Sequence, residues 1–151
     1  MDLATELPKL LPLAIAWAEA RSDEVAVHGV PLTAARLRLA RSVGVQRPEA
    51  IRISEVHRLP LPDDPGLRRA AVETGLLGPR TVGVTFGYSV LMLTGHGSNR
   101  LISHECRHVH QYEQAGSIAA FLPLYLNQIA TVGYSLAPFE IDARSHERDD
   151  V

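Results

Sequence analysis

Glycine and proline constrain this chain more than any other feature, because they cut it into segments that each admit one short element. From Leu10 to about Ala20, the apolar positions Leu13, Trp17 and Ala20 recur at helical spacing and predict a first helix. Gly29 and Pro31 break the chain. Thr33 can then cap a second helix, TAARLRLARSV, which Gly44 ends. Past Pro48, IRISEVHRL alternates Ile51, Ile53 and Val56 with polar neighbours, the pattern of a strand. LPLPDDPG is a turn-rich connection, and PGLRRAAVETGLLG predicts a short helix beginning near Pro65. RTVGVTFGYSVLMLTG, rich in valine, threonine and aromatics, predicts one or two strands with Gly87 at a bend or bulge. After GHGSN a helix runs from about Arg100 to Gln114 and stops at Gly116. Ser117 can cap the next helical stretch, where Pro123 marks a kink or a late start, and Gly133 ends it. Pro138 suits the first turn of a last helix, PFEIDARSHERD. Helices, a small sheet and then more helices make an α+β layout.

The length of 151 residues fits a single domain over 1–151, with a helical N-terminal part at 1–47 and a sheet with later helices at 48–151. A net charge of −2 leaves nothing to gather nucleic-acid phosphates, and Arg36, Arg38 and Arg41 read as a solvated helix face. The lone Cys106 excludes an intramolecular disulfide and a four-cysteine metal site, and fits a reducing compartment. LLPLAIAWA resembles a short secretory apolar region, but Asp2 and Glu6 stand where basic residues belong. The run also falls far short of the ~20 residues that span a bilayer. It is expected to be a core helix, and the protein to be cytoplasmic, without a membrane or nucleic-acid partner.

Chemistry concentrates in SHECRHVHQYEQ, where His104, Glu105 and His108 form the pattern H-E-x-x-H. Residues four apart share one helix face, one turn above the other. His104 and His108 can therefore point two imidazoles at one zinc ion, at Zn–N distances of ~2.0–2.1 Å. Glu105 falls beside the ion, where it can take a proton from an activated water and deliver it to a leaving group. The motif is short, so its context matters: it follows a strand-like segment and lies in a capped, proline-free run.

A catalytic tetrahedral site takes a third protein ligand and keeps one position open. The last helix offers Glu140, Asp142, His146 and Glu147. Glu140 and Asp142 stand about 200° apart around that helix, so they do not both face one ion. Glu147 shares the face of Glu140 but lies about 10 Å further along. Geometry leaves Glu140, Asp142 and His146 open.

His104-Glu105-x-x-His108 followed by Glu140-x-x-Ala143 resembles the gluzincin group of zinc metallopeptidases, and in particular its minimal single-domain members, the minigluzincins. HECRHVHQ is similar to the H-E-x-x-H-V-x-Q form in small bacterial proteins of that kind. The resemblance covers roughly residues 80–147 and implies Glu140 as the third ligand. It also implies a zincin-like fold, with a small sheet packed on an active-site helix and additional helices at both ends. RTVGVTFGYSVLM is then the strand bordering the cleft, where an extended peptide can pair. One position departs from the group: many gluzincins carry Asp directly after E-x-x-A, whereas this chain has Arg144. Arg144 can pair back to Glu140 four residues earlier or hold another carboxylate.

Several neighbours complete the expectation. His110, about 200° from His108, belongs on the opposite face. Gln111 and Tyr112 can orient the ligands from behind, and Cys106 reads as a small buried residue. Tyr88, Tyr125, Tyr134 and His96 are the available donors for a developing oxyanion, while His28 and His57 carry no assignment. The sequence thus predicts a zinc metallopeptidase of peptide or protein substrates, with one Zn2+ on His104, His108 and Glu140 and with Glu105 as general base. A regulatory partner or a homo-oligomer is compatible with it. Two other readings use the same residues: a non-catalytic zinc-binding scaffold, and a peptidase silenced by its own terminal segments until a partner activates it.

Overall fold

The computed structural model describes residues 2–150. Within them the first helix, α1 (Leu3–His28), is longer at both ends than its apolar spacing predicts. Asp2 caps it, accepting from the Ala4 N–H at 3.1 Å. Pro8 and Pro12 lie inside it, and each removes one backbone donor. The carbonyls left without a partner belong to Ala4 and Pro8, both exposed, so water can satisfy them. Strand β1 (Val30–Pro31) is followed by α2 (Ala34–Ser42), capped by Thr33 as its sequence suggests. A 3₁₀ turn at Pro48–Ala50 leads into β2 (Arg52–Val56). Helix α3 (Pro65–Glu73), capped by Asp64, ends earlier than the sequence implied.

RTVGVTFGYSVLMLTG resolves into two strands, β3 (Gly83–Phe86) and β4 (Ser89–Leu93). Gly87, at φ 66°, opens the two-residue turn between them, so the expected bend is a hairpin turn. Then come α4 (Asn99–Ala115), α5 (Ile118–Val132) and α6 (Pro138–Ser145). Gly116, at φ 102°, ends α4 in the left-handed conformation, and Ser117 at once caps α5 by accepting from the Ala120 N–H. Helix α5 runs through Pro123 from Ile118, so the proline marks no late start. The carbonyl it frees belongs to exposed Ala119.

The four strands form one mixed sheet in the order β1-β2-β4-β3, with β2 and β4 parallel and the other pairs antiparallel. β1, from the helical N-terminal part, pairs Val30 with Ile53, so the sheet ties the two parts of the chain together. Alternation along the strands gives the sheet two apolar faces. Ile53, Val90 and Met92 pack with Leu39 of α2 and with Ile102, Cys106 and Val109 of α4. Val84, Phe86 and Leu91 pack on the other side with Ala18 and Val25 of α1 and Phe121 and Leu122 of α5. Side chains as fully enclosed as Phe121, Met92 and Ile102 contribute about 1.5–3 kcal/mol each. This is an α+β fold in which α4 lies against edge strand β3. No single helix among the described residues is long and apolar enough to cross a membrane.

Candidate metal centre

Helix α4 carries His104 and His108 one turn apart, with ring centroids 5.0 Å from each other. Pro138 starts α6, and Glu140 in its first turn is almost wholly buried, at 1% exposure. The Nε2 atoms of His104 and His108 face the two oxygens of this carboxylate, at 3.3 Å from Oε1 and 3.0 Å from Oε2. Among the described residues these three side chains form the one His/Cys/Asp/Glu group able to hold a metal ion, with donor atoms within 4.8 Å of one another. Ligands at ~2.0–2.1 Å in a tetrahedron are separated by roughly 3.3–3.4 Å, close to both observed spacings. Glu140 Oε2 also accepts from the Tyr125 hydroxyl at 2.6 Å, whereas Oε1 is buried without a hydrogen-bond partner. A buried carboxylate oxygen without a hydrogen bond, on a group whose two oxygens each face an imidazole nitrogen, is costly in a bare protein and suited to a cation. The donor set fits a divalent ion.

The electrostatics follow from this arrangement without metal. Burial opposes charge on His104, but Glu140, Glu105 and Glu147 outweigh it and hold the imidazole up at about 9. His108 moves the same way against its own burial, driven by Glu140 and Glu105. For Glu140, burial favours the neutral acid, yet the two histidines and Tyr125 keep its pKa well below the usual carboxylate range. A cation is therefore wanted here, and protons supply it when a metal does not.

Each imidazole is also held from behind. His108 Nδ1 donates to Gln111 Oε1 at 2.8 Å, leaving Nε2 free toward Glu140. The Gln111 amide is oriented by its own nitrogen, which donates to Phe139 O and Asp142 Oδ2, both at 2.9 Å. Arg107 grips Asp142 with two nitrogens, at 2.7 and 3.3 Å, and donates to Val43 O at 2.8 Å. Asp142 thus faces away from the ligand group and steadies Gln111. His146 bonds the Asp142 carbonyl at 2.8 Å and caps the end of α6, so it too stands apart from the three donors. His104 Nδ1 meets Glu147 Oε2 at 2.8 Å. Glu147 does not lie further along α6 as the sequence suggested: the helix ends at Ser145, and the following segment folds back onto α4.

Glu105 is 4% exposed and sits against β3. Its Oε1 accepts from the Thr85 hydroxyl at 2.8 Å. Gly83 makes the close approach possible, since a Cβ there would stand 3.1 Å from Leu101 Cδ1 and 3.3 Å from Glu105 Oε2. The other side of the group opens into a cleft of about 360 Å³, lined by His104, Glu105, Gly83, His96, Tyr134 and Glu147 among others. Tyr134 also lines a smaller cavity with Glu105, His108, Tyr125 and Glu140. Burial, and then the charge of Glu140, raise the pKa of its hydroxyl.

The remaining residues fall into place by their contacts. His110 bonds Gly44 O on the far face of α4. Cys106 is buried, and burial pushes its thiol up to about 12. Tyr112 donates to Thr85 O at 3.1 Å, supporting the strand and not a ligand. Tyr88 is bound to Glu113 at 2.8 Å, outside the site, and His28 and His57 are exposed elsewhere. Arg144 does not pair with Glu140; it donates to the carbonyl of Ser135, next to Tyr134. Sequence reasoning missed Thr85, although Gly83 and Thr85 share a strand face and a glycine there signals close approach. It also missed the pairing of Tyr125 with Glu140, for which the sequence carries no local signal. Comparison with protein-family models, characterised proteins and solved structures finds no match to this chain.

Proposed function

We propose that this protein is a zinc-dependent metallopeptidase of the gluzincin type, with His104, His108 and Glu140 as ligands and Glu105 as general base. The observation that carries the reading is a centre with three protein donors, and no fourth among the described residues, flanked by a carboxylate and opening on a cleft. A purely structural zinc site closes with a fourth protein ligand and needs no base, so this count favours catalysis over a silent scaffold.

When bound, zinc supplies Lewis acidity to a carbonyl oxygen and acidifies water to a pKa of about 7. Glu105, fixed through Oε1 by Thr85, accepts the proton from that water and returns it to the departing amine. Tyr134 is the donor for the developing oxyanion. Of the four donors named from sequence, Tyr88 is bound to Glu113, Tyr125 is committed to Glu140, and His96 is exposed at the cleft rim. Strand β3 stands at the sheet edge beside Glu105, and main-chain pairing with an extended peptide is available there at Gly83, since the Thr85 carbonyl is already bound by Tyr112.

The test is metal content and hydrolysis together. Protein expressed with zinc supplied carries one zinc and cleaves members of a fluorogenic peptide library, and Glu105→Gln keeps the zinc but loses cleavage. Wild-type protein without zinc, or a Glu105→Gln variant cleaving at the wild-type rate, refutes the assignment.

A further inference from the structure

We infer that Glu147 is a positioning residue for His104, delivered by a strap formed from the segment that follows α6; the inference rests on the metal-binding part of the reading above. The His104 ring is held between two carboxylates. Nε2 faces Glu140 at 3.3 Å, and Nδ1, on the other edge of the ring, meets Glu147 at 2.8 Å. A metal-binding histidine that gives its second N–H to a carboxylate gains a fixed tautomer, a fixed ring orientation and a more basic ligand nitrogen. Gln111 does this for His108 from within α4. No residue of α6 does it for His104: Glu140 faces Nε2, Asp142 is held by Arg107 and Gln111, and Arg144 can only donate, to the Ser135 carbonyl.

The strap has no regular secondary structure, yet it is tied down at Glu147 and at both residues that follow it. Arg100 donates to Glu147 Oε1 at 3.1 Å and grips both oxygens of Asp149, each at 3.1 Å. Asn99 donates to the Asp149 carbonyl at 3.3 Å. The Arg148 N–H donates to the hydroxyl of Ser103, a residue with no exposed surface, at 2.8 Å. Every one of these anchors lies in the first turns of α4, next to His104. Glu147 thus reaches the metal-binding face without belonging to either ligand-bearing helix, and its partner Arg100 fixes which way its carboxylate points.

The test measures zinc affinity of the full-length chain by competition with a chromophoric chelator, with metal-free melting followed alongside. Glu147→Ala weakens zinc binding by about 10–100-fold, the usual cost of losing such a partner. Glu147→Gln keeps an acceptor for the Nδ1–H but not the charge, so it weakens binding by less. In the zinc-loaded protein, the downfield His104 Nδ1 proton seen by NMR is lost in Glu147→Ala and kept in Glu147→Gln. If Glu147→Ala binds zinc as tightly as wild type and merely melts lower, the segment is only a tether and the inference falls, while the metal centre stands. Wild-type protein that takes up no zinc overturns both.

Discussion

Two tyrosines line the cavity at buried Glu140, Tyr125 bonded to it and Tyr134 beside it, and they should fail in different ways when truncated. The Tyr125 hydroxyl lies 2.6 Å from Glu140 Oε2, and the residue is only 8% exposed. Tyr125→Phe removes that oxygen and nothing else, and leaves a buried charge short of one donor. A hydrogen bond to a charged group contributes about 1.5–3 kcal/mol. In a chain of 151 residues each kcal/mol moves the melting temperature by about 2–4 °C, so metal-free Tyr125→Phe should melt roughly 3–12 °C lower. Because the lost donor fixed a ligand, zinc affinity should also fall, by about tenfold or more. The chemical step should survive, since the Tyr125 hydroxyl is spent on Glu140. Tyr134→Phe reverses the pattern: the residue is half-buried at the cleft, so melting changes little while kcat falls by about 10²–10³. Differential scanning calorimetry and chelator competition, with peptide cleavage under saturating zinc, separate the two. The reasoning is refuted if Tyr125→Phe melts as wild type does, or if it loses kcat while keeping stability and zinc.

Gly83→Ala places a methyl group 3.1 Å from Leu101 Cδ1 and 3.3 Å from Glu105 Oε2, so both side chains must yield. Denaturant unfolding should show a loss of about 1–2 kcal/mol after the gain from a stiffer unfolded chain, and cleavage should fall further than zinc affinity. Proton linkage supplies another check. His104 is raised from 6.5 to about 9 in the metal-free protein, so its stabilisation is complete below about pH 6.5 and is lost as pH rises through about 9. Metal must displace that proton, so zinc uptake at pH 7.5 should release protons and tighten toward pH 9. Calorimetry in buffers of different ionisation heat measures the release, and uptake with no proton released at pH 7.5 contradicts the charge state derived for the site.

Much of this was legible in the sequence because it was local. His104 and His108 are set by helical spacing alone, and the caps Thr33 and Ser117 and the first-turn Pro138 lie where their residue types place them. The extent of α1 was not legible from the apolar spacing, which runs from Leu10 to about Ala20, while the helix spans Leu3–His28 with Pro8 and Pro12 inside it. Asp142 and Glu140 lie on opposite sides of a helical wheel, which does not say which side meets α4. Only the docking of α6 against α4 turns one inward and gives the other to Arg107. Glu147 was misplaced for a related reason: the sequence carried the last helix past Ser145, and a carboxylate that returns through an irregular segment leaves no periodic trace. Thr85 and Tyr125 act across distances of 20 and 15 residues, where periodicity says nothing.

The position of β3 at the end of the sheet sets a length scale for anything laid beside it. Its four residues from Gly83 to Phe86 span only about 13 Å at the usual rise per residue. In an antiparallel ladder alternate residues direct their N–H and C=O outward, so a docked strand finds about two such residues, and one of their carbonyls, Thr85 O, is already taken by Tyr112. Under the proposed peptidase reading, such a short ruler would meet only a few residues around a scissile bond. It suits loose, extended segments, and a folded protein would have to surrender such a segment before the centre could reach it.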